Sequence, residues 1–156
     1  MIQRIQSIFL ALVIVLGIVF SFVPILTLTQ GDSTFIMGAY KTINVELGNS
    51  VAKNMGIGVL QGLVIIISAL VIFLYKNRGL QMKLWKLNIL LIAFQIAAMV
   101  MYSDSVKNNI NTSPDEITTV VNFGAIIPLL SLILTYLAIH FIRKDDKLVR
   151  SADRLR

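Results

Sequence analysis

The chain of 156 residues has no cysteine. That absence removes disulfides, iron–sulfur clusters, thiol catalysis, palmitoylation and lipoprotein anchoring at one stroke. It also excludes a four-helix quinone or disulfide oxidoreductase working through a cysteine pair. One histidine, His140, cannot supply the paired axial ligation of a b-type haem or most of a zinc site. No acid shares its expected membrane depth except the flanking Asp145 and Asp146, so no Ser–His–Asp set is available. Charge is scarce as well: 14% of residues are charged, against roughly 25% in soluble domains.

What is present is apolar surface in long runs, with 56% hydrophobic residues and a net charge of +6. The basic residues flank the apolar runs, where they orient a protein in a bilayer, so nucleic acid is not the expected partner. A transmembrane helix needs about 20 apolar residues. Four spans are expected, at about 8–28, 56–75, 84–102 and 120–142. The first is the run Ile8–Leu28, with Pro24 inside it, read as a retained anchor because no small-residue cleavage site follows. The second, Gly56–Tyr75, carries thirteen Val, Ile, Leu or Phe side chains. The third is short at Leu87–Tyr102 and gains length from Leu84, Trp85 and Lys86, with Trp85 assigned to an interfacial aromatic belt. The fourth contains Pro128 near its start and His140 near its end.

Eleven Lys and Arg fall before the first span, between the second and third, and after the fourth, whereas only Lys41, Lys53 and Lys107 fall on the other side. Positive residues stay in the cytoplasm. Both termini are therefore expected there, and the lipid bilayer is the first partner. The segment 143–156 is expected to be a basic cytoplasmic tail, helical, because Leu148, Ala152 and Leu155 recur on one stripe and Asp146 and Arg150 pair at i, i+4.

The expected fold class is an all-α integral membrane protein, an antiparallel four-transmembrane-helix bundle. "TINVEL" alternates, placing Ile43, Val45 and Leu47 on one face, which allows a small β-element in the first extracytoplasmic loop. In the second loop, Ser103–Thr119, Ser113 followed by Pro114, Asp115 and Glu116 reads as a helix start.

No Asp, Glu, Lys or Arg lies deep in a span, so no catalytic, cofactor-binding or metal-binding residue is assigned and no enzymatic activity is expected. The polar residues that do lie there are amides and hydroxyls. Gln61, Asn88 and Gln95 form either interhelical hydrogen bonds or a polar path, Asn88 and Gln95 being seven apart on one helix face. Gly58 with Gly62, and Ala93 with Ala97, are small-xxx-small pairs that let helices approach closely, within the protomer or between subunits.

"MIQRIQSIFL" at Met1–Leu10 and "IRKDDKLVRSADRLR" at Ile142–Arg156 together resemble a bacterial family of four-span membrane proteins, domain of unknown function 4293, associated with the Bacteroidota. The resemblance implies the inner (cytoplasmic) membrane and carries no catalytic residues. A signature at both cytoplasmic ends implies docking through Gln3, Arg4, Lys147, Arg150 and Arg154. The expected function is a non-catalytic accessory or scaffold subunit of an inner-membrane complex, bound to another membrane protein or to itself. The alternative is a small homo-oligomeric transporter or channel.

Overall fold

The computed structural model describes the backbone of residues 3–74, 78–110 and 117–153, and the side chains of 7–74, 79–110 and 117–141. Its elements are α1 (Gln3–Phe20), β1 (Leu26–Gln30), β2 (Ser33–Met37), β3 (Lys41–Asn44), β4 (Ser50–Lys53), α2 (Met55–Phe73), α3 (Arg78–Ile110), β5 (Thr118–Val121) and α4 (Phe123–Asp153). The expected all-α class is wrong. Four helices carry a five-stranded antiparallel sheet, ordered β4-β3-β2-β1-β5, on one end of the helical part.

The helices pack in a ring, α1 on α2 and α4, and α3 on α2 and α4. Shared core clusters fix their direction. Leu10, Val71, Trp85 and Ala138 meet at one end. Val13, Val64 and Ile92 meet in the middle. Phe20, Ile57, Met99 and Ile127 meet at the other end. Residue numbers rise along this axis in α1 and α3 and fall in α2 and α4, so neighbours are antiparallel.

Each helix turns a seam with alternating spacings of three and four residues inward. The buried positions include 10, 13, 17 and 20 in α1, 57, 61, 64, 68 and 71 in α2, 81, 85, 88, 92, 95 and 99 in α3, and 124, 128, 131, 135 and 138 in α4. A mean period of 3.5 is the knobs-into-holes repeat of left-handed bundles. The surface is the reverse of a soluble bundle. Leu12, Val15 and Ile18 on α1, Val59, Ile66 and Phe73 on α2, Leu90, Phe94 and Met101 on α3, and Ile126, Leu129 and Ile133 on α4 all face outward and exposed. Three helices, Met55–Phe73, Gly79–Ile110 and Phe123–Phe141, are long and apolar enough to cross a membrane; Ser7–Phe20 is a shorter apolar helix. At 33 residues α3 is about 50 Å long, against about 30 Å of hydrocarbon, so it must project beyond any bilayer it crosses.

The run Ile8–Leu28 is not one helix. Helix α1 ends at Phe20, a turn closes through Ser21 N–H to the Ile18 carbonyl and Phe22 N–H to the Val19 carbonyl, and Pro24 stands outside the helix. Beyond it Leu26–Gln30 is a strand between β2 and β5. Proline lacks the N–H that would continue the helical ladder. Ile25 instead donates its N–H to the Met37 carbonyl and accepts from Asn122 N–H, a β arrangement.

The sheet closes through Gly31 and Asp32, with positive φ at Gly31 alone, the pattern of a II′ hairpin. The polar face of β3 is the buried one. Thr42 and Asn44 are buried, whereas Val45 and Leu47 lie exposed, Leu47 at 70%. The Asn44 side chain accepts from the N–H groups of Glu46 and Leu47 and ends the strand in a turn, so the alternation of "TINVEL" never becomes one strand. The sheet packs on the projecting end of α3 through Leu28, Phe35 and Val106.

The expected start of the last helix at Ser113–Glu116 lies outside the described residues. The next element is β5, and α4 begins only at Phe123. Five consecutive β-branched residues, Ile117–Val121, favour a strand there. Ser103–Ile110, expected as loop, is the continuation of α3.

Candidate functional site

The distinctive interior feature is the seam between α2 and α3. It alternates apolar and polar layers. The apolar layers bring Ile57 near Met99, Val64 near Ile92 and Val71 near Trp85. Between them Gln95 Nε2 donates to Gln61 Oε1 at 2.7 Å, and Asn88 Nδ2 donates to Ser68 Oγ at 2.9 Å. One more heptad toward the α2–α3 connection, Gln81 Nε2 donates to the Val71 carbonyl at 3.2 Å, satisfying one of the carbonyls left open in the last turn of α2. Gln81, Asn88 and Gln95 thus stand at intervals of seven, about 10.5 Å apart along the axis, and all three are buried. On α4, Thr135 and Ser131 are also buried, and the Thr135 hydroxyl donates to the Ser131 carbonyl one turn back.

Polar groups at these core positions suit helices whose outer surface is apolar. A side-chain amide facing lipid would lose its hydrogen bonds, whereas one facing another helix can regain them. The pairing is incomplete at two atoms of α3: Trp85 Nε1 and Asn88 Oδ1 are buried without a hydrogen-bond partner among the described residues. The chemistry open to this seam is hydrogen bonding. Amides and hydroxyls donate and accept, but they do not exchange protons near neutral pH as carboxylates or imidazoles do.

Of the residues singled out in the sequence, Gln61, Asn88 and Gln95 are brought onto one seam. Gly58 is buried under the ring of Tyr40, with which an added Cβ would collide, and Gly62 has open space where its Cβ would stand. Ala93 and Ala97 lie exposed on α3. Gln3 and Arg4 begin α1, and Lys147 and Arg150 lie in α4; the side chains of these four, and all of Arg154, are outside the described residues, as is the Leu148–Ala152–Leu155 stripe. The antiparallel packing nonetheless sets the start of α1 and the far end of α4 at the same end of the bundle, opposite the sheet.

Trp85, expected in an interfacial aromatic belt, turns inward. It is 0% exposed, packed among Leu10, Ile67, Val71, Ala138 and Ile139. The signal was present: Trp85, Ile92, Met99 and Val106 recur every seven residues, three or four positions off the polar set. Gln81 belonged to the same count, and Asn54 at the start of α2 continues that of Gln61 and Ser68. Asn54 is buried at the sheet junction, donating to the Gly38 carbonyl at 3.2 Å and to Thr42 Oγ1 at 2.8 Å.

Close backbone approaches hold the layers. A Cβ on Gly17 would collide with the Gln61 amide, and one on Gly56 would stand 2.6 Å from the Tyr102 hydroxyl. At the head of α4 a Cβ on Gly124 would run into the Pro24 carbonyl, the acceptor for Gly124 N–H at 3.2 Å.

No curated protein matches the chain in sequence. The family described as "Domain of unknown function (DUF4293)" matches residues 2–155, and with its match covering almost the whole length the chain belongs to that family.

Proposed function

We propose that this protein is a non-catalytic subunit or scaffold of a bacterial inner-membrane complex, held in the bilayer by its helices and docked through its basic cytoplasmic ends. In this reading α1 also crosses: 18 residues give about 27 Å of helix, and its outer face is as apolar as those of its neighbours. The sheet then stands outside the cytoplasm, while the start of α1, the α2–α3 connection and the tail stand inside.

The observation that carries a supporting role over a solute path is the pairing of polar side chains across the seam. Gln95 is bonded to Gln61 and Asn88 to Ser68. Amides that bond each other join helices, and each such bond contributes about 0.6 kcal/mol on average. The extension of α4 to Asp153 supports docking, because it carries Arg143, Lys144, Lys147 and Arg150 past the end of the apolar helix Phe123–Phe141. A photoreactive residue at Lys147 tests this in cells. One recurrent crosslinked protein, lost when Arg150 and Arg154 are both replaced by Gln although membrane insertion persists, is expected. A lone monomer after gentle detergent extraction, with no crosslinked product, contradicts it.

The unpartnered Trp85 Nε1 and Asn88 Oδ1 favour the second reading, a homo-oligomeric transporter or channel. Reconstituted vesicles impermeable to a panel of small polar solutes dispose of that reading.

A further inference from the structure

The outer face of α3 and α4 holds a feature that the interior seam does not use. Hydrogen bonds from Gln81, Asn88 and Gln95 turn one flank of α3 toward α2. The other flank faces α4, as the shared cluster of Ile96 and Leu132 requires. Further round on that flank, exposed, come Lys86, Ala93 and Ala97, at spacings of seven and four. On α4 the flank bearing Phe141 faces α1, where its ring stacks on Phe9 at 5.7 Å. Its opposite flank carries Leu129, Tyr136 and His140, again spaced seven and four and exposed. Two stripes thus border one lengthwise groove.

The groove is graded in chemistry. Trp85, Ala138 and Ile139 share a cluster, so Lys86 and His140 stand at nearly the same level of two packed helices. Tyr136 stands one turn deeper, and Lys83 lies one turn nearer the bundle end, directly outward. This end offers two ammonium groups, an imidazole N–H and a phenol O–H. Deeper along the groove Ala93 and Ala97 leave a shallow floor between the larger, exposed Phe94 and Ile133. No carboxylate interrupts either stripe. The apolar run of α4 gives way to Arg143 and Lys144 within one turn of His140, so in a bilayer the cationic end falls where headgroups lie.

We propose that the α3–α4 groove binds one anionic phospholipid. Lys83, Lys86, His140 and Tyr136 meet its phosphate, and an acyl chain lies over Ala93 and Ala97. The pairing of charge at one end with a narrow apolar floor on the same line selects the occupant. A zwitterionic lipid matches the floor but brings its own cation to the lysines. A helix of a second copy would bring an apolar face to both. The inference rests on the helices crossing a bilayer.

Nanodiscs of phosphatidylcholine with a minority of phosphatidylglycerol, followed by native mass spectrometry of the released full chain, test it. Phosphatidylglycerol is expected to be retained well above its share of the bilayer. K83Q/K86Q is expected to lower that enrichment about fivefold per lysine. A97L is expected to reduce retention of either lipid while leaving both lysines in place. Equal retention of the two lipids by the wild type, or undiminished enrichment in K83Q/K86Q, overturns the proposal. So does a dimer that excludes lipid and is broken by A97L. Failure of the chain to enter nanodiscs at all would strike the membrane reading instead, so the two failures are distinguishable.

Discussion

At the residue scale the fold depends on buried amides that find their hydrogen bonds inside the bundle. Gln61 and Gln95 are both buried and face each other at 2.7 Å. Replacing Gln95 alone with Leu leaves the Gln61 amide without that bond in the bundle, which costs about 1–2 kcal/mol. Replacing both removes the need along with the bond. Q95L and Q61L are therefore each expected to destabilise, and Q61L/Q95L to destabilise by clearly less than their sum, in reversible unfolding from mixed micelles. Strict additivity would mean the pair is not coupled. These residues were legible one by one, because a polar letter inside an apolar run stands out. Their partners were not. Pairing Gln95 with Gln61 requires the register of two antiparallel helices, and that register is set by packing Trp85 against Val71 and Met99 near Ile57.

At the element scale, helices were easier to find than their ends. The apolar run Ile8–Leu28 has the right length for a span, and nothing in its hydropathy marks Pro24 as a boundary between helix and strand. The boundary is set by partners far along the chain: Asn122 N–H reaches the Ile25 carbonyl, Asn122 Nδ2 reaches Thr27 Oγ1 at 2.7 Å, and β5 pairs with β1. Likewise the seam of α3 hides from a search for amphipathic helices, since its buried side alternates Gln or Asn with large apolar residues and its outer side is apolar too. Gly124 marks the junction where α4 meets the lead-in to β1. Gly124→Ala forces a methyl group onto the Pro24 carbonyl oxygen, which must move with its backbone, and is expected to cost about 1–3 kcal/mol. Gly62→Ala meets open space and is expected to stay within about 0.5 kcal/mol of the wild type. Equal effects in thermal unfolding would place the junction elsewhere. A large loss of oligomer in Gly62→Ala, with monomer stability kept, would assign that face to a second subunit.

At the scale of the whole molecule, the distribution of apolar surface states the solvent. Exposed Leu, Ile, Val and Phe ring the helices, while Gln, Asn, Ser and Thr lie at their centre. In water that arrangement would expose far more contiguous apolar surface than soluble monomers carry. In a bilayer it is the stable one. The antiparallel order then divides the molecule, with the sheet and the projecting end of α3 beyond one end of the bundle and the extension of α4 beyond the other. Counting lysines and arginines had suggested the same division, because residues that flank spans are visible in sequence. Of the sheet, only the alternation of "TINVEL" in the first loop was visible; β1 was hidden in the end of an apolar run and β5 lies far along the chain.

The absence of native cysteine allows the division to be measured directly, since each introduced thiol is unique. Asp32→Cys sits at the β1–β2 turn and Asp153→Cys at the described end of α4. In intact cells opened only at the outer membrane, a membrane-impermeant maleimide is expected to label Asp32→Cys and to spare Asp153→Cys until the inner membrane is breached. Labelling of both before that breach, or of Asp153→Cys alone, would contradict a bundle that crosses the bilayer with its sheet outside and its tail in the cytoplasm.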